Sequence, residues 1–188
     1  MQIKDQKVKD FLNDLASKKP TPGGGATAAL AGATAASLVS MVAKLSVEKD
    51  KEFEEIEGKA EKLRKELLSL ADEDCQVFEG VMQAYRTDKR EPGRLRKIQK
   101  ALEEASQVPL ETAEKSVEVV KLASDCVREG NQNAVSDARV AIELATAGVY
   151  GALENVRINL ESIKDANFCE DLKEKMDELL ECEDLKTG

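Results

Sequence analysis

The chain has 188 residues, 41% of them hydrophobic but only 3% aromatic, with no Trp and no His, and its 28 Lys and Arg face 37 Asp and Glu for a net charge of −9. A chain this acidic repels polyphosphate, which argues against a nucleic-acid partner, and without histidine it carries no Ser-His-Asp triad, Cys-His pair, zincin motif or His-ligated metal. Any general acid or base must be a carboxylate, Lys, Tyr or Cys, and the length suits one domain, residues 1–188, with a substantial core.

Val8, Phe11, Leu12 and Leu15 recur at spacings of three and four, which predicts a short amphipathic helix over residues 5–17, ended by Lys18-Lys19-Pro20. Thr21 to Ser46 then reads TPGGGATAALAGATAASLVSMVAKLS. Pro22 and the Gly23-Gly24-Gly25 run allow a sharp turn with bare amides, and Ala, the best helix former, dominates from Ala26 onward. Gly32, Ala36 and Ser40 share one stripe, and Ala29, Ala33 and Ser37 the next, so this helix is expected in the middle of a bundle with neighbours packed close. Its Ser and Thr content and Lys44 favour burial in protein over a membrane. The three glycines either close a tight turn or present free N–H groups at the positive end of the helix dipole, an anion site without side chains. No Gly-Lys-Ser/Thr follows, so this is not a P-loop.

A long amphipathic helix is predicted from Phe53 to Tyr85, its buried stripe running through Phe53, Ile56, Ala60, Leu63, Leu67 and Leu70, then Asp74, then Phe78, Val81 and Tyr85. Asp74 stands where a Leu belongs. A carboxylate on a core face is paired, hydrogen-bonded or lining a cavity. After the polar stretch from Arg86 to Gly93, a helix over 95–108 is expected to break at Pro109, and another to run over 110–128 with Gly130 as cap. Gly130-Asn131-Gln132-Asn133 is a turn rich in side-chain amides. Helix resumes over 134–163 with a stripe of small residues, Asp137, Ala141, Leu144, Gly148 and Ala152, leading to Asn155 and Asn159. Those two amides lie one turn apart, able to reach one planar ligand or to cap backbone of a neighbouring helix. A charged helix over 168–180 and a fraying tail at 186–188 end the chain. The reading is an all-α bundle of six or seven helices around the buried Ala/Gly-rich helix. Cys75, Cys126, Cys169 and Cys182 form no CxxC pair, and no signal-peptide pattern precedes them, so reduced thiols in a cytoplasmic protein are expected.

TPGGGATAALAGA, Asp72-Glu73-Asp74 with Phe78 four residues on, Val108-Pro109-Leu110, GNQNAVSD and NVRINL occur in this order across nearly the whole chain. Together they resemble the C-terminal family of formiminotransferase-cyclodeaminases. The chain has Thr87-Asp88-Lys89 where many members have Leu-Pro-Lys, with the lysine retained. The resemblance implies an all-helical, homodimeric enzyme of tetrahydrofolate one-carbon units, either a formimidoyltetrahydrofolate cyclodeaminase or a methenyltetrahydrofolate cyclohydrolase. Either reaction requires a positioned acid–base group and no metal or cofactor beyond the folate substrate.

Within that resemblance Asp74, with Asp72 on the polar flank, is the first choice for the acid–base carboxylate, and Lys89 would offset anionic charge. Asp137 would take the 2-amino and N3 edge of the pterin, for which a carboxylate is a bidentate acceptor. Asn155, Asn159 and Asn133 would line the substrate site, and the amides of Gly23, Gly24 and Gly25 would take a folate oxygen. Two other classes stay open: a helical interaction or scaffold protein, in which these residues serve packing, and a folate carrier without turnover.

Overall fold

The computed structural model describes residues 2–186. Within them are six α-helices and no strand: α1 (Val8–Leu15), α2 (Gly24–Ser46), α3 (Phe53–Arg86), α4 (Arg94–Glu129), α5 (Val135–Leu160) and α6 (Ala166–Leu180), with short 3-10 turns at Ile3–Asp5, Gln132–Ala134 and Glu183–Lys186. Of the tail expected to fray, Lys186 closes the last 3-10 turn, and residues 187 and 188 lie outside the described residues. α2 through α5 pack around one hydrophobic core, with α2 against α3, α4 and α5.

α2 occupies the expected central place because its side chains are small enough to let three neighbours close on it. Ala26, Ala29, Ala35, Ala36, Val39, Val42 and Ala43 are fully buried. By length and composition alone α2 would span a membrane, at mean hydropathy 1.6, yet 61% of that window is buried within the bundle. Its C-terminus is held by the GNQN turn. Asn131 Nδ2 donates to Leu45 O at 2.9 Å, Asn131 N donates to Ser46 Oγ at 2.9 Å, and Asn131 Oδ1 accepts from Asn133 N at 3.0 Å. The turn therefore satisfies one carbonyl of the last turn of α2, Leu45 O, and the hydroxyl of Ser46.

α1 is shorter than expected, and only Phe11 of its stripe is buried; Val8 and Leu12 are exposed because no other element covers that side. The stripe of α3 is buried as far as Leu70 and Ala71, then surfaces: Phe78 is 36% exposed and Tyr85 45%. The cause is length. At 34 residues α3 runs about 51 Å and the 23-residue α2 about 35 Å. Beyond Asp74 the α3–α4 hairpin projects past the N-terminus of α2, tied at its tip by Arg94, whose guanidinium donates to Thr87 O at 2.9 Å and Tyr85 O at 2.8 Å.

Pro109 does not break a helix. α4 continues through it as 36 residues, with Pro109 buried inside. Proline removes the N–H that would bond the carbonyl four residues back, and here that carbonyl, Ala105 O, accepts from Asn159 Nδ2 of α5 at 3.0 Å. The orphan acceptor is satisfied from a neighbouring helix, so the helix survives. Replacing Asn159 by Ala should cost about 1–2 kcal/mol in urea unfolding. In a Pro109→Ala background, where residue 109 supplies its own N–H, the same change should cost less than half as much. Equal costs in both backgrounds would contradict the pairing.

Candidate active site

Where the N-terminus of α2, the C-terminal part of α5 and the emerging half of α3 meet, a cavity of about 230 Å³ opens. Gly23, Gly24, Gly25, Asp74, Asn155 and Asn159 line it, with Phe78 and Val81 as an apolar wall. Six of the residues singled out in the sequence thus converge, from three segments far apart in the chain.

Asp74 is half-buried, and its Oδ2 accepts from Ala26 N at 3.0 Å. The carboxylate lies directly over Gly25: a Cβ there would fall 2.6 Å from Asp74 Cγ. No residue with a side chain allows that approach, which is the specific reason for glycine at this position. The anion expected at the helix N-terminus is therefore in part the protein's own. Ala26 N–H is taken by Asp74, while the amides of Gly24 and Gly25, first in the helix, have no intrahelical carbonyl to bond. Burial pushes the Asp74 carboxyl above its ordinary value of 3.8, against the lowering effect of the Ala26 N–H. Desolvation wins, so the acid form persists to higher pH than in a solvated aspartate.

The two asparagines are oriented by backbone. Asn155 Nδ2 donates to Gly151 O at 2.8 Å and Asn159 Nδ2 to Ala105 O. A carbonyl only accepts, so each amide turns its NH2 to the helix and leaves Oδ1 as the free acceptor. The site thus gathers two amide oxygens and a carboxyl beside an aromatic ring, a surface for a flat ligand with several N–H donors.

Four residues expected here lie elsewhere. Asp72 is not on a polar flank; it is buried, 6% exposed, with Oδ1 accepting from Ile3 N at the N-terminal segment. Being two residues from Asp74 places it about 200° round the helix, facing another wall. Lys89 is exposed in the α3–α4 loop and does not line the cavity. Asn133 and Asp137 stand at the opposite end of α5; 18 residues separate Asp137 from Asn155, about 27 Å along the helix. Asp137 and Asn155 share a face, but one small ligand within a single chain does not touch both. Phe78 was missed as a site residue, although its spacing of four from Asp74 puts it on the same face. The four cysteines are unpaired, and burial lifts the Cys126 thiol to about 12, which leaves it a packing residue.

A family model described as formiminotransferase-cyclodeaminase matches residues 7–178. Methenyltetrahydrofolate cyclohydrolase of Methylorubrum extorquens is 39% identical over 187 residues, an alignment covering 94% of this chain and 89% of that protein. Formimidoyltransferase-cyclodeaminase of Mus musculus is 29% identical over 94% of this chain, which spans only 35% of that longer protein. The crystal structure of formiminotetrahydrofolate cyclodeaminase from Thermotoga maritima superposes with a TM-score of 0.89 at 31% identity, covering 98% of this chain and 92% of that one.

The raised carboxyl has a consequence for stability. A group whose folded pKa lies above its unfolded value destabilises the fold once ionised, and the penalty fades as pH falls through the folded value toward 3.8. Asp74→Asn should therefore melt higher than the wild type at pH 7, with the difference vanishing below about pH 4. A variant that melts lower at pH 7 would mean that the charged form is favoured in place.

Proposed function

The chain belongs to the formiminotransferase-cyclodeaminase family, and from that premise we propose that it is a tetrahydrofolate one-carbon enzyme, a formimidoyltetrahydrofolate cyclodeaminase or a methenyltetrahydrofolate cyclohydrolase. The observation that carries the reading is the half-buried Asp74 carboxyl, seated on Gly25 in a cavity also lined by the Asn155 and Asn159 side chains and the N-terminus of α2.

In cyclodeamination N10 of the folate attacks the formimino carbon on N5, a five-membered ring closes, and ammonia leaves. N10 loses a proton and the departing nitrogen gains one. In hydrolysis water adds to the methenyl carbon and a ring C–N bond opens. Asp74 is suited to both transfers, because burial makes its carboxyl easier to protonate than a solvated aspartate, so that it can give a proton and take one back. Asn155 Oδ1 and Asn159 Oδ1 accept from pterin N–H groups, the ring lies against Phe78, and the Gly24 and Gly25 amides take a folate oxygen. Holding N5, N10 and the carbon together supplies much of the rate, since ring closure is intramolecular.

The surface of α2 supports a homodimer. From Gly24 to Ala43 it has no charged residue, yet Thr27, Thr34, Ser37 and Met41 are exposed, and beside them α5 exposes Val140 and Ile158. An uncharged face of this length fits a second copy of the chain. Antiparallel pairing along α5 would carry Asp137 of the partner subunit toward the Asn155 end, the arrangement in which it reaches the same ligand. Lys89, on the exposed loop, is left to the anionic end of the substrate.

The test follows the methenyl-tetrahydrofolate chromophore from both directions. Its appearance with ammonia release from formimino-tetrahydrofolate identifies a deaminase, and enzyme-dependent loss from methenyl-tetrahydrofolate a cyclohydrolase. Asp74→Asn should lower kcat at least about 100-fold with folate affinity within a few-fold. Silence of the wild type in both assays would remove the enzyme reading, and a light-scattering mass of 20.5 kDa, that of one chain, would remove the dimer.

A further inference from the structure

Asn155 and Asn159 both line the Asp74 cavity and both give amide hydrogens to a carbonyl, but the two carbonyls differ. Asn155 Nδ2 donates at 2.8 Å to Gly151 O, four residues back in α5, which the helix already supplies with the Asn155 backbone N–H. That carbonyl keeps a donor even when the amide turns over. Asn159 Nδ2 donates at 3.0 Å to Ala105 O of α4, which has no helical donor because residue 109 is Pro. Among the described residues no other side chain serves it: the neighbouring Ser106 and Thr112 donate within α4 to Leu102 O and Val108 O. Ala105 is 6% exposed, so turning the Asn159 amide over would set oxygen against oxygen and leave a buried carbonyl without a donor. Asn159 Oδ1 is thereby held as the free end, without a donor among the described residues and not sealed from solvent.

Pro109 is buried in α4 and does not itself line the cavity. We infer that it is a positioning residue for ligand recognition, acting through Asn159: by withholding an N–H from Ala105 O it fixes the amide so that the cavity meets the ligand with an acceptor at this point. The ligand edge seated there must donate, and a ring edge that offers only acceptors is turned away, whereas Asn155 can adapt to either. That the edge is the N–H rim of a pterin rests on the folate reading; the fixed orientation rests on Pro109 and Ala105 O.

Pro109→Ala tests this, since Ala supplies the missing N–H and is the better helix former, so α4 persists. Ala105 O then takes the backbone donor and the Asn159 amide is released. The KM for the folate that the wild type turns over should rise about fivefold with kcat within about twofold, the mark of lost ground-state binding. Asn159→Ala should raise KM at least as much, and adding Pro109→Ala to it should change KM no further, because Pro109 acts through Asn159. In the absence of folate, the side-chain NH2 signals that Asn159→Ala removes from the amide NMR spectrum should exchange with deuterium slowly in the wild type and at least about tenfold faster in Pro109→Ala. A proline that only shapes α4 would shift melting and leave both KM and the amide alone. An unchanged KM in Pro109→Ala, a rise that persists undiminished in the Asn159→Ala background, or equal exchange of the amide in both proteins would overturn the inference. The exchange readout contains no folate, so its failure is separable from silence of the wild type in the turnover assays, which bears on the enzyme reading.

Discussion

Gly148 of α5 approaches α2 so closely that a Cβ on it would stand 3.1 Å from Ala28 O and 3.1 Å from Ser116 Oγ, and a Cβ on Gly32 would stand 2.7 Å from the same hydroxyl. The contact between α2 and α5 is made nearly backbone to backbone, with the Ser116 hydroxyl of α4 set against both. Any larger side chain at these positions pushes the helices apart. This spacing decides where the two ends of α2 fall: its C-terminus against Asn131, its N-terminus against Asp74 and Asn155. The cavity is a consequence of that packing. α2 and α5 stop where the longer α3–α4 hairpin continues, and the step between them is left open.

At that step two effects of opposite sign act on one carboxyl. The N-terminus of α2 and the Ala26 N–H favour its charged form, and removal from water favours its neutral form. The second prevails, which leaves Asp74 hydrogen-bonded and positioned yet easier to protonate than a solvated aspartate. In a chain without histidine, a carboxyl held in its acid form to higher pH than a solvated aspartate is a group suited to acid–base chemistry.

Much of this was legible in the residues. The central place of α2 followed from its Ala and Gly content, and Asp74 stood out because it interrupts an apolar stripe. Asn155 and Asn159 were visible as a pair, though their two readings proved compatible: each amide nitrogen caps backbone and each oxygen remains available. What stayed hidden depended on contacts between distant segments. Nothing local to Pro109 says that Asn159, 50 positions later, supplies the donor that lets α4 continue. Asp72 looked polar-facing because the N-terminal segment that covers it has no periodic pattern of its own. Asp137 shared a stripe with Asn155, but a stripe five turns long has two ends, and only one reaches the cavity. The exposure of Phe78 and Tyr85 likewise followed from unequal helix lengths, which hydrophobic spacing does not record.

The central claim is that Gly25 and the Asp74 carboxyl form one acid–base unit. It is tested most directly by the pH dependence of kcat in the wild type and in Gly25→Ala, where a Cβ forces the carboxyl off its seat toward solvent. The wild-type profile should show a limb above the ordinary aspartate range, and in Gly25→Ala that limb should move toward lower pH as kcat falls. A limb at the same pH in both proteins would contradict the assignment of the titrating group to Asp74.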